Sequence, residues 1–338
     1  MAAAMLFDYK RVGRGIFTHN KKSAAYSPRI RKNPYTRLGK GPGEQKKSSC
    51  MRNSFPGEVY INGTWRPHEQ AAISVFDRGF LFGDGIYEVI SVYDNQLFAL
   101  TGHLQRMQGG LDEIGIVFDA DTLADVARQA VARAVLPAGE GCVYLQVTRG
   151  VAPRAHRFPA TATPTVIAYA YPFSLKGFQD KLATVIVSPD ERWHKCHIKS
   201  TSLVANVIAN QAAHGVGADE NVMARDGLIT EGSHTNVFFI RNGVVYTHPL
   251  GPYILPGITR ALVLELCKTE GIPVQEDAVC LAELNTVDEA FLTGTTTQIL
   301  GIGRMMRDDE TLFSVSSSGP VTQRLQEAFV RRVRALIG

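Results

Sequence analysis

Arg78-Gly79-Phe80-Leu81-Phe82-Gly83-Asp84-Gly85 runs straight into Ile86-Tyr87-Glu88-Val89-Ile90-Ser91-Val92-Tyr93. Three glycines ahead of a β-branched and aromatic run allow close backbone approach, as a dinucleotide-binding turn does. That turn must open a helix whose N-terminus receives the pyrophosphate, and strand-forming sequence follows here instead. The reading therefore turns away from a dinucleotide-binding α/β fold.

Outward from this point the pattern stays local. Upstream, Val59-Tyr60-Ile61, Asn62-Gly63 and Thr64-Trp65 predict strand, tight turn and strand; downstream, Asp94-Asn95 turns the long strand back into Gln96 to Leu100. Thr101 and Asp121 are placed to cap two amphipathic helices, one carrying Leu104, Met107, Leu111 and Ile114, the other Leu123, Val126, Ala127 and Val131. Strands are expected at Cys142 to Thr148 and Thr165 to Tyr171, and Pro172 to Gly177 reads as an interdomain linker. Beyond it come a strand (Leu182 to Val187), a helix (Leu203 to His214), short strands from Asn221 to Tyr246 with turns at Asp226-Gly227 and Asn242-Gly243, and helices at Thr259 to Glu270 and Thr322 to Leu336. Mostly local pairing without regular βαβ winding gives an α+β fold: a small α/β domain over 53–173 and a larger domain over 174–338, rich in short antiparallel strands.

The first 50 residues stand apart. They hold 12 Lys and Arg against Asp8 and Glu44, a balance of +10, which out of the total of +4 leaves −6 for the rest. A mildly acidic body argues against a nucleic-acid-binding surface. Rich in Lys, Arg, Ser, Gly and Pro and without hydrophobic periodicity, residues 1–52 are expected to form a disordered basic leader. It is expected to be dispensable, with Met51 as the natural start of a 288-residue enzyme; an organellar targeting signal is the rival, disfavoured because glycines and prolines interrupt the helix it needs. No apolar run approaches the roughly 20 residues that cross a bilayer. Five cysteines without a CxxC pair fit reduced thiols and a cytoplasmic setting, and His194 and His197 lack a second ligand pair, so no metal is assigned.

Candidate binding chemistry lies in three places. Pro256-Gly257-Ile258-Thr259-Arg260 leads into a helix, where free N–H groups and a hydroxyl suit a phosphate, although a plain glycine turn and cap reads the same way. Thr293-Gly294-Thr295-Thr296-Thr297 crowds hydroxyls about one glycine, as an anion-binding turn or a threonine-rich strand edge would. Pro153-Arg154-Ala155-His156 sets two potential cations on a loop between strands, where binding groups and solvated charges alike are found.

Together the segments resemble the fold-type IV pyridoxal 5′-phosphate enzymes, and among them the D-amino-acid aminotransferases, from Val59 to the C-terminus. The stretches that carry the resemblance are Asp77-Arg78-Gly79, Phe82 to Glu88, His103-Leu104-Gln105-Arg106, Gln146 to Gly150, Pro153 to His156, Ile198-Lys199-Ser200, Thr230 to Ser233, Asn236-Val237-Phe238, Leu255 to Arg260 and Thr293 to Thr296, in family order.

The resemblance implies that Lys199 holds the cofactor and moves the α-proton, and that Glu231 pairs with the pyridine nitrogen. It implies that Arg106, Ile258, Thr259, Thr295 and Thr296 take the phosphate and that Leu255 packs on the ring. Tyr87, Arg154 and His156 resemble the substrate-carboxylate trap, its loop supplied by a partner subunit, which implies a homodimer with shared sites. The implied reaction joins D-alanine or D-glutamate to 2-oxoglutarate or pyruvate with ping-pong kinetics. Branched-chain L-amino-acid aminotransferases, aminodeoxychorismate lyases and (R)-selective amine transaminases share most of these elements and differ in the carboxylate pocket, and a non-catalytic cofactor carrier is a further alternative. His234, after Glu231-Gly232-Ser233, departs from the small residues that relatives often carry there.

Overall fold

The computed structural model describes residues 55–337; the leader expected over residues 1–52, including the start at Met51, lies outside them. Two sheets organise the described residues. The first has six antiparallel strands in the order β2-β1-β6-β5-β3-β4, comprising β1 (Glu58–Ile61), β2 (Thr64–Pro67), β3 (Gly85–Tyr93), β4 (Gln96–Leu97), β5 (Gly141–Thr148) and β6 (Thr165–Pro172). Strict period-two alternation decides its faces. Ile86, Ile90, Val143, Leu145, Val147 and Ala168 point to one side, where the apolar stripes of α2 (Leu100–Glu113) and α3 (Leu123–Arg133) cover them. The other side carries an aromatic row in which Tyr87, Tyr144, Tyr169 and Tyr171 follow one another at centroid spacings of 5.8, 5.1 and 6.0 Å.

The second sheet has nine strands: β7 (Leu182–Pro189), β8 (Glu220–Arg225), β9 (Leu228–Gly232), β10 (Asn236–Arg241), β11 (Val244–Thr247), β12 (Val274–Gln275), β13 (Glu289–Gly294), β14 (Gln298–Arg307) and β15 (Glu310–Ser314). In β10, Val237 and Phe239 enter one core while Phe238 and Ile240 enter another, beneath α5 (Ile258–Thr269) and α6 (Pro320–Ile337). A strand buried on both faces is apolar throughout, as Val237-Phe238-Phe239-Ile240 is.

Three findings depart from the sequence expectation. β7 pairs in parallel with both β14 and β8, and β7, α4 (Val204–Gly215) and β8 form one βαβ unit, so the larger sheet is mixed. The glycine-rich stretch contains a single helical turn, α1 (Arg78–Phe82): Asp77 caps it by accepting from the Gly79 N–H, and Gly83 ends it at φ 66°. Neither Thr101 nor Asp121 caps a helix; α2 begins after Ala99 in a left-handed conformation, and a short 3-10 turn whose cap is Asp119 precedes α3. No helix among the described residues is long and apolar enough to cross a membrane.

Candidate active site

A cavity of about 460 Å³ is walled by β3, the segment before α4, α4 itself, the β9–β10 turn, the start of α5 and the end of β13. Of the residues singled out in the sequence, Tyr87, Arg106, Lys199, Glu231, Leu255, Ile258, Thr259 and Thr295 line it. Thr296 belongs to the same turn as Thr295 but is not on the wall, and Arg154 and His156 stand elsewhere, against the Phe82 ring.

Lys199 is fixed by backbone pairing. Its carbonyl accepts from the Tyr87 N–H at 3.1 Å and Ser200 bridges to Ile86, so the segment lies against the start of β3. Gly85 is required there because a Cβ would come within 2.9 Å of the Val147 carbonyl. The lysine Nζ lies 3.4 Å from the Tyr87 hydroxyl and 4.4 Å above its ring, and Tyr144 stacks behind that ring.

Glu231 is buried near the end of β9. One oxygen accepts from Arg192 Nη1 at 2.5 Å, the other from Asn236 Nδ2 at 2.9 Å and the Leu255 N–H at 3.0 Å. Burial pushes its carboxyl up to about 7, against the downward pull of Arg192. Arg192 is held in turn by Asp190, through Nε and Nη2 at 2.9 Å each, and by the Tyr253 carbonyl.

The opposite end gathers hydrogen-bond donors. Gly257 starts α5 with no side-chain cap, which leaves first-turn N–H groups without an intrahelical partner. Thr293 Oγ1 is buried with no partner, and Thr293 lines the cavity beside Gly294 and Thr295. Arg106 binds both oxygens of Glu88 at 2.7 Å and donates through Nη1 to the Pro256 carbonyl at 3.0 Å, which ties α2 to the turn that opens α5. Burial opposes ionisation of Glu88, but the charges and hydrogen bonds of Arg106 and His103 outweigh it and hold its carboxyl at about 2.

Glu220 organises the β9–β10 turn. Its carboxylate accepts from the Asn221 and Ser233 N–H groups and the Ser233 and Thr235 hydroxyls, and lies 2.9 Å from His234 Nδ1. Protein surrounds the His234 ring on most sides, yet the cavity lets solvent reach about half of it, 52%. His194 instead packs edge-on against Tyr253, and His197 pairs with Glu113.

Sequence reading gave no role to Arg192, Asn236, Glu220 or Thr293. Asn236 and Thr293 fell inside quoted motifs, whereas Arg192 and Glu220 matter through strand pairing that brings distant segments together. The donor set suits pyridoxal phosphate: an amine (Lys199), a buried carboxyl (Glu231), and at the far end cations, a free helix N-terminus and the orphaned Thr293 hydroxyl suited to a dianion.

Residues 85–305 match the amino-transferase class IV family. The sequence is 39% identical over 274 residues to a D-alanine aminotransferase of Bacillus licheniformis, covering 80% of this chain and 95% of that protein, and 35% identical over 283 residues to one of Staphylococcus haemolyticus, covering 82% and 98%. Among solved structures, the branched-chain aminotransferase of Thermoproteus uzoniensis with norvaline superposes with a TM-score of 0.75 at 26% identity, over 83% of this chain and 96% of that one. A Thermus thermophilus branched-chain aminotransferase complexed with N-(5′-phosphopyridoxyl)-L-glutamate shares the fold at a TM-score of 0.73 and 24% identity, over 84% and 96%.

Proposed function

The chain belongs to the class IV aminotransferases, and from that premise we propose that it transfers the amino group of a D-amino acid, of the D-alanine or D-glutamate type, to a 2-oxo acid such as 2-oxoglutarate or pyruvate, with pyridoxal 5′-phosphate held by Lys199. The observation that carries this reading is the meeting of Lys199, Glu231, Arg106 and the start of α5 on the walls of one cavity.

When bound, the cofactor supplies a ring that accepts the electron pair left behind as the α-proton departs. Lys199 Nζ holds the cofactor and then carries that proton, kept beside Tyr87 by the pairing of its backbone with β3. Glu231 faces the ring nitrogen and keeps it protonated; Arg192, Asn236 and the Leu255 N–H fix the carboxyl in place. Ile258, Thr259, Thr295 and Thr296 take the phosphate with Arg106, and Leu255 packs on the ring. Thr293, with its unpartnered buried hydroxyl, joins the phosphate set. Tyr87, Arg154 and His156 bind the substrate carboxylate. Because Arg154 and His156 stand away from the cavity of their own chain, we assign them to the site of a second subunit in a homodimer. We read the domain boundary at 173/174, between β6 and β7, and place the enzyme in the cytoplasm, in keeping with its unpaired Cys142, Cys196, Cys267 and Cys280.

The branched-chain alternative has one observation in its favour, the structural likeness to branched-chain aminotransferases. An absorbance scan followed by side-by-side addition of D-alanine and L-leucine separates the two. A cofactor band bleached by D-alanine supports the proposal, bleaching by L-leucine alone replaces it with the alternative, and a purified protein that takes up no cofactor removes both.

A further inference from the structure

Asp84, the penultimate residue of the glycine-rich stretch, sits between two guanidiniums. Its Oδ2 accepts from Arg78 Nε at 2.7 Å and from Arg149 Nε at 2.8 Å, and its Oδ1 from Arg149 Nη2 at 3.0 Å. Each arginine keeps donors to spare. Arg78 turns its own outward, with Nη1 donating to the Ala155 carbonyl at 2.6 Å and Nη2 standing 3.4 Å from the His156 carbonyl. Arg149 donates to the Ile114 and Gly115 carbonyls beyond α2, and its guanidinium lies 3.6 Å over the Phe158 ring. The Phe82 ring completes the contact, with the Arg78 guanidinium at 4.7 Å, that of Arg154 at 5.2 Å and the His156 ring at 5.6 Å.

The contrast in burial gives this arrangement its meaning. Arg78 is 3% and Arg149 6% exposed, whereas every residue from Pro153 to Phe158 is exposed. A loop without apolar burial or a strand partner is held only by what binds its polar backbone. Here two consecutive carbonyls, those of the residues flanking and bearing the loop's side chains, are gripped by one planar fork, and the fork is itself immobilised by a buried carboxylate.

We propose that Arg78, anchored by Asp84, is a positioning residue that clamps the 153–158 loop and so sets the aim of Arg154 and His156. Recognition of the substrate carboxylate then depends on a buried ion cluster that never touches substrate. The inference rests on the reading of Arg154 and His156 as carboxylate-binding groups, and the test keeps the two separable.

Holoenzyme carrying Arg78→Gln, Arg78→Lys or Asp84→Asn is digested with trypsin, and cleavage after Arg154 and Arg157 is followed by mass spectrometry. D-alanine kinetics are measured in parallel, with Arg154→Ala as reference. The clamp predicts cleavage roughly tenfold faster in all three variants and a KM for D-alanine that rises by more than kcat falls. Lysine is expected to fail because it keeps the charge and loses the fork. Cleavage at the wild-type rate, protection restored by Arg78→Lys, or kcat falling as far as KM rises would each overturn the proposal. Should Arg154→Ala leave KM unchanged, the carboxylate reading fails instead, and the proteolysis shows whether the loop is clamped all the same. Asp84→Asn preserves side-chain shape and keeps the test decisive if Arg78→Gln does not fold.

Discussion

The Lys199 side chain reaches only the Tyr87 hydroxyl and ring face, so nothing in the packing depends on its amine. Lys199→Ala is therefore expected to leave thermal stability within about 0.5 kcal/mol of wild type while lowering transamination by at least about 10²–10⁴-fold. Melting curves and turnover with D-alanine check both, and residual turnover near wild type would remove Lys199 from its role. Glu220 and His234 behave in the opposite way, because their pairing builds the turn. Burial works against both charged forms, yet their mutual hydrogen bond and charge prevail, holding Glu220 at about 2 against an ordinary 4.5 and raising His234 above its ordinary 6.5. A lowered carboxylate stabilises above 4.5 and loses that stabilisation as pH falls towards 2; a raised imidazole stabilises fully below 6.5 and loses it as pH climbs through its raised value. The pair is thus worth most between those two ordinary values. Glu220→Gln should lower stability there by about 2 kcal/mol and return the His234 titration towards 6.5, as denaturant melts across pH and histidine NMR would register. An unmoved histidine titration would show that Glu220 does not set its charge.

At the scale of elements, the start of α5 depends on a missing side chain. A Cβ at Gly257 would stand 2.1 Å from Asn236 Oδ1, and the Asn236 amide already links Glu231 to the Leu255 carbonyl. Gly257→Ala must push Asn236 or the helix start aside, an overpacking cost of about 1–3 kcal/mol. Weaker cofactor retention is expected, by about tenfold in Kd, and a cofactor titration of the purified variant would measure it; unchanged affinity would mean that the helix start is not where the phosphate binds. Several elements were legible in the sequence because their residues have local reasons to be where they are. Asn62-Gly63, Asp94-Asn95, Asp226-Gly227 and Asn242-Gly243 all turn with both φ values positive, as those residue types predict. Pairing direction was not legible, since period-two alternation in Leu182 to Val187 is identical for parallel and antiparallel neighbours. The five-residue turn α1 is too short for any periodicity and is held by its Asp77 cap and by Gly83. Arg192 reaches Glu231 across 39 residues, and Glu220 reaches His234 across 14, so no local pattern announces either pair.

The proposed homodimer yields a prediction that a single chain cannot satisfy. Lys199 lies in the cavity of its own chain, while Arg154 and His156 stand away from it against Phe82. If each site takes its lysine from one subunit and its carboxylate-binding loop from the other, Lys199→Ala and Arg154→Ala damage different halves of the same composite site. Each mutant homodimer has two defective sites. In a hybrid of the two, the site that joins the intact lysine of the Arg154→Ala chain to the intact loop of the Lys199→Ala chain is wild type, and the other site carries both lesions. Random reassortment makes about half of all dimers hybrid, with one intact site of two in each, so activity towards D-alanine should recover to about a quarter of wild type. If loop and lysine instead served the same chain, every hybrid site would still lack one of the two, and mixing would restore nothing. Unfolding and refolding the two variants together, with each refolded alone as the control, therefore decides whether the active site is shared.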